Sequence, residues 1–102
     1  MTGDGAGARP SQFALYANYL NPFNLSTRIQ FQTSSEGRAT LDVTNILGER
    51  VATLVDTDLS PGLHTAAWNG HNVSGVEVPS GVYFWRLHTD DHTASEKMLL
   101  LK

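Results

Sequence analysis

Arg28-Ile29-Gln30-Phe31-Gln32 and Arg38-Ala39-Thr40-Leu41-Asp42-Val43-Thr44 both alternate polar with apolar side chains. A strand sends successive side chains to opposite faces, whereas a helix buries a stripe of period about 3.6. The pattern therefore predicts two half-buried strands, with Ile29, Phe31, Ala39, Leu41 and Val43 turned toward one interior. Between them, Ser34-Ser35-Glu36-Gly37 reads as a turn with Gly where a positive φ is needed. Asn45-Ile46-Leu47-Gly48 places Asn first and Gly fourth, as type I turns favour. A third strand follows over residues 50–55, where Val51 with Thr53 and Ala52 with Leu54 are equally suited to face inward.

Further along, residues 56–62 read as a loop closed by the breaker pair Pro61-Gly62. Residues 63–68 read as a fourth strand ending at Asn69-Gly70. The polar stretch 69–80 reads as a long hairpin with a short edge strand near 76–78. Gly81 then opens Val82-Tyr83-Phe84-Trp85-Arg86-Leu87, dense in β-branched and aromatic types. Alternation places Tyr83, Trp85 and Leu87 in the core, and Trp68 beside them. Asp90-Asp91-His92 is the last turn, and residues 93–102 form a closing strand with Met98 and Leu100 inward. No stretch has helical periodicity. Short strands with turn signals about every 8–12 residues predict an all-β fold: an immunoglobulin-like antiparallel β-sandwich of about seven strands. An up-and-down barrel is the alternative.

Composition narrows the function. The chain has 102 residues, 40% of them hydrophobic, enough for one domain with a modest core. A net charge of −3 with scattered Lys and Arg leaves no nucleic-acid footprint. There is no cysteine, hence no disulfide and no thiolate metal site. No apolar run approaches the ~20 residues of a membrane span. Residues 1–14, rich in Gly and small side chains, read as a flexible linker, and residues 15–102 as the folded domain.

Catalytic constellations do not emerge. His64, His71, His88 and His92 lack metal-ligand spacing and read as surface residues. Asp56, Asp58, Asp90 and Asp91 are placed in turns, where Asp bonds the local backbone. Asp56-x-Asp58 offers two carboxylates for Ca²⁺, without the further oxygen ligands such a site requires. Neither a nucleophile elbow nor a phosphate-binding loop is present. The chain is expected to have no enzymatic activity, no metal and no cofactor.

Four stretches carry a resemblance. Asn18-Tyr19-Leu20-Asn21-Pro22-Phe23-Asn24-Leu25-Ser26-Thr27 opens the domain. Val43 to Val51 holds the Asn45-Ile46-Leu47-Gly48 turn. Gly62-Leu63-His64-Thr65-Ala66-Ala67-Trp68-Asn69-Gly70 follows, and then Pro79-Ser80-Gly81-Val82-Tyr83-Phe84-Trp85-Arg86-Leu87 with the closing Lys97-Met98-Leu99-Leu100-Leu101-Lys102. Together they resemble the type IX secretion C-terminal sorting domains (type A), a family related to the immunoglobulin-like domain of flagellar hook-capping proteins. Leu20 and Leu25 stand where that family has proline, and Thr44 where it has an aromatic.

The resemblance implies a sorting and surface-attachment module. Its partners would be the type IX secretion machinery and a cargo domain preceding it. The route would run through the periplasm of a Gram-negative bacterium to the cell surface or medium. A monomer is expected. The residues implied in recognition are Asn21, Pro22, Phe23, Asn24, Gly48, Gly81, Phe84, Lys97, Leu99, Leu101 and Lys102. Phe23 reads first as a plug for one end of the sandwich, ahead of direct contact with a translocon. If the last two strands pair, Val82, Phe84, Leu99 and Leu101 form an exposed apolar patch, a feature that often marks an interaction site. The same patch can instead pack under a loop or against a preceding domain. A carbohydrate-binding or spacer module of a secreted glycoside hydrolase is the competing reading. The former needs exposed coplanar aromatics on one face, for which only Tyr16, Tyr19 and Phe84 are free and not on one strand, and solvent-facing Trp68 and Trp85 would favour it.

Overall fold

A computed structural model describes residues 13–16, 22 and 26–102. Its strands are β1 (Ala14–Leu15), β2 (Thr27–Thr33), β3 (Gly37–Thr44), β4 (Arg50–Leu59), β5 (Gly62–Trp68), β6 (Gly81–Thr89) and β7 (Thr93–Leu100). They form two antiparallel sheets, ordered β1-β2-β5 and β4-β3-β6-β7. The expected two-sheet sandwich is the fold observed.

Period-2 alternation explains the core directly. Ile29 and Phe31 of β2 and Trp68 of β5 point from one sheet. Leu41 and Val43 of β3, Tyr83, Trp85 and Leu87 of β6, and Met98 and Leu100 of β7 meet them from the other. Every one of these side chains is buried, as the alternation predicts. Interdigitated inner faces of this kind supply most of a sandwich's stability, at about 25 cal/mol per Å² of apolar surface removed from water. Trp68 meets Tyr83 edge-on, with ring centroids 5.3 Å apart.

The structure corrects two expectations and resolves one open alternative. First, the third strand does not end at residue 55. β4 runs to Leu59, so Asp56 and Asp58 are strand residues rather than loop residues. They stay extended because β3 provides a full ladder opposite them and Arg38 pairs diagonally with Asp56 at 2.7 Å. The turn shrinks to Ser60-Pro61, where the chain leaves one sheet and enters the other. Second, the inward face of this strand has no single answer. Leu41 opposes Val55 but Asp42 opposes Thr53, and Val43 opposes Ala52 but Thr44 opposes Arg50. Leu54 and Val51 are thus extra residues, two bulges that reset the alternation. Ala52 is buried while Val51, Leu54 and Val55 are each half-buried.

Third, the edge strand expected near 76–78 is reduced to one bridge, His71 to Glu77. The Asn72 side chain is the reason. Its Oδ1 accepts from the backbone N–H of both Ser74 and Val76, at 2.9 and 3.0 Å. A local side-chain acceptor competes with a ladder and bends the segment into a turn.

Candidate functional site: one end of the sandwich

Strand direction gathers the singled-out segments. Thr44 faces both Arg50 and Phe84, Thr27 faces Trp68, and Gly81 faces Leu100. The 45–49 hairpin, the 69–80 loop and the last two residues therefore all emerge at one end. The turns at 34–36, 60–61 and 90–92 lie at the other.

The hairpin tip is built by Asn45. Its Oδ1 accepts from the N–H of Leu47 and of Glu49, at 2.9 and 3.0 Å, and its Nδ2 donates to Glu49. Its carbonyl takes the Gly48 N–H at 3.0 Å, closing the expected turn. Gly48 has φ 83°, a left-handed conformation that favours glycine, with open space where a Cβ would stand. Its requirement is conformational rather than steric. Asn45→Ala is expected to cost about 1 kcal/mol and lower Tm by about 4–8 °C without changing the far-ultraviolet circular dichroism. Thermal unfolding checks it, and an unshifted Tm would mean that the tip is held by the backbone alone.

The 69–80 loop is tied down from inside. The Trp68 indole N–H donates to the His71 carbonyl at 2.9 Å, and the Tyr83 hydroxyl to the Pro79 carbonyl at 2.7 Å. Burial pushes the Tyr83 pKa above the usual tyrosine value. The Val73 N–H donates to the carbonyl of Val51, one of the two bulge residues. The chain's last residue joins the same end: the Lys102 N–H donates to Ser80 Oγ at 3.0 Å, and its ammonium lies 3.6 Å from Glu77.

This construction leaves five large apolar side chains pointing into solvent: Ile46 and Leu47 at the hairpin tip, Val73 and Val76 on the loop, and Leu101 at the tail. Their exposure runs from 49% to 77%. Among the described residues only Tyr16 and Leu63 are comparably exposed large hydrophobics elsewhere. Isolated exposed apolar residues are ordinary, but five on three segments at one end are not.

Of the sequence-derived recognition residues, Gly48, Gly81, Leu101 and Lys102 lie at this end. Phe84, Lys97 and Leu99 lie on the outer face of the four-stranded sheet, where Phe84 faces Lys97 across β6 and β7 and Leu99 faces Val82. Phe84 and Leu99 are half-buried rather than open. Phe84 lines a shallow pocket with Ile46, Gly48, Arg86 and Ser95, so the hairpin partly shelters it. Pro22 is exposed. Asn21, Phe23 and Asn24 lie outside the described residues. Sequence pattern alone places Ile46 and Leu47 in a turn and Val76 in an edge strand, and gives none of these, nor Val73, a part in recognition. An apolar pair inside an Asn-to-Gly turn was the available signal.

His64 packs its ring on Phe31, and His92 stacks on Phe13 at 4.6 Å. Among the described residues no three His, Asp or Glu side chains are grouped to hold a metal. Trp68 and Trp85 are both buried and present no stacking face.

Residues 17–91 match the FlgD Ig-like domain family, which covers most of the chain. The chain belongs to the FlgD Ig-like domain family. Solved structures agree on the fold. Dimeric latent PorU from Porphyromonas gingivalis superposes with a TM-score of 0.71 at 14% identity, over 98% of this chain and 10% of that one. FlgD from P. aeruginosa gives 0.58 at 14% identity, over 92% of this chain and 77% of that one. PorZ, an essential bacterial surface component of the type IX secretion system of P. gingivalis, gives 0.56 at 18% identity, over 86% and 11%. This chain thus spans about a tenth of PorU and of PorZ. No curated protein matches it. As a FlgD Ig-like domain, it shares its architecture with parts of the much longer PorU and PorZ chains.

Proposed function

We propose that this FlgD Ig-like domain is a non-catalytic sorting and attachment module, carrying a cargo through type IX secretion to the cell surface or medium. The observation that carries the reading is the end surface. Segments far apart in sequence converge there with five solvent-facing apolar side chains, and the tail is bonded to the loop beside them. A transporter that accepts many cargoes must read a shared contour, and a rigid loop cluster on a sandwich provides one. The motif resemblance and the likeness to a domain of PorZ support the pathway.

A sugar-binding role is disfavoured by the burial of both tryptophans. A plain spacer remains the competitor. The test is a periplasm-targeted reporter fused ahead of residues 1–102 in a bacterium with the type IX system. The domain is expected to bring the reporter out of the cell, and the double variant Leu47→Asp with Leu101→Asp to leave it in the periplasm while retaining the wild-type Tm. Release that does not depend on the domain would make it a spacer. Undiminished release by the double variant would move recognition off this end.

A further inference from the structure

We propose that β5 is a self-pairing edge, through which two copies of this chain join into one continuous six-stranded sheet. Among the described residues the sandwich has four edge strands, and three carry devices that discourage pairing. β1 is two residues long, β4 has two bulges with Asp56 and Asp58 along it, and β7 carries Glu96 and Lys97. β5, Gly-Leu-His-Thr-Ala-Ala-Trp, has none. It holds no charged residue and no internal proline, and it pairs with β2 through seven consecutive residues without a register shift. Among the described residues no strand pairs with its outer side. Leu63 on it is 59% exposed, and Thr65 and Ala67 are exposed too. Such an edge is a template for another strand.

A second copy is the occupant the side chains fit. A two-fold axis at Thr65 sets Leu63 against the other copy's Ala67, large against small, on both sides of a central threonine pair. On the same outer face Arg28 lies beside Ala67 and Gln32 beside Leu63. The pairing therefore aligns Arg28 with the other copy's Gln32, and no like charges meet. The sheet order β1-β2-β5 also puts the strand where the chain enters the fold at the edge away from the axis, leaving room for anything attached ahead of it. The interface is small, so the dimer is weak and concentration-dependent.

Sedimentation equilibrium of the 102-residue chain from about 10 µM to about 1 mM is expected to show a monomer–dimer equilibrium. Thr65→Lys puts two ammonium groups on the axis and is expected to weaken association at least about tenfold. The double variant Leu63→Lys with Ala67→Glu sets opposite charges across the same pairs and is expected to retain the dimer. The chain has no cysteine, so Thr65→Cys is expected to cross-link into a dimer under mild oxidation while Ser95→Cys on β7 does not. Circular dichroism establishes that each variant is folded. A folded wild type that stays monomeric at 1 mM, unchanged association in Thr65→Lys, or equal cross-linking of both cysteine variants overturns the proposal.

Discussion

Trp85→Ala is expected to destabilise the domain by about 3–5 kcal/mol, while Trp85→Phe is expected to fall within about 1 kcal/mol of wild type. Trp85 sits at the middle of β6, paired with Val43 on one side and Glu96 on the other, with no exposed surface. Truncation to alanine removes the whole ring and leaves a cavity that two flanking strands cannot collapse to fill. A domain of this length has about 5–15 kcal/mol in total, so the variant sits near its unfolding midpoint at modest temperature. Phenylalanine behaves differently because the Trp85 indole N–H is buried without a hydrogen-bond partner among the described residues. An orphaned donor already costs about 1–3 kcal/mol of desolvation, and removing it offsets the lost ring area.

Trp68 is the control. Its N–H donates to the His71 carbonyl, so Trp68→Phe loses both that bond and ring area, and should cost more than Trp85→Phe. Urea denaturation followed by circular dichroism separates the three. Equal losses for the two phenylalanine variants would mean that the Trp85 N–H has found a partner.

The contrast also shows what was legible in the sequence. Strands β2, β3, β6 and β7 could be read because each keeps strict alternation, with Ile29 and Phe31, Leu41 and Val43, Tyr83 and Trp85, or Met98 and Leu100 buried in step. β4 could not, because Val51 and Leu54 are inserted as bulges, and a bulge is set by the partner strand rather than by local composition. Asp56 and Asp58 misled for the same reason: their low strand propensity is outweighed by the ladder with β3. The hairpin turn was readable since Asn45 and Gly48 act within four residues. The end surface was not, because Ile46, Val73 and Leu101 come together only through register. Half-burial of Phe84 likewise depends on where the hairpin tip folds.

The same register makes the chain's last five residues a place where folding and recognition can be cut apart. Ending the chain after Lys97 is expected to unfold the domain. Ending it after Leu100 is expected to keep it folded but block export. Met98 and Leu100 are fully buried, and their strand pairs Tyr83, Val82 and Gly81 with Met98, Leu99 and Leu100. Losing two such side chains costs about 4–10 kcal/mol, comparable with the whole stability, and leaves Gly81, Val82 and Tyr83 without a ladder partner. Leu101 and Lys102 lie beyond the ladder. Removing them deletes one bond to Ser80 Oγ, a long ion pair with the exposed Glu77, and one exposed side chain, together about 1 kcal/mol or less. The longer deletion is therefore a poor test of sorting, since an unfolded module fails to export for trivial reasons. The shorter one is informative. Urea midpoints and reporter release are measured on both. Retained release after loss of Leu101 and Lys102 removes the tail from the recognised surface and confines recognition to the hairpin and the loop.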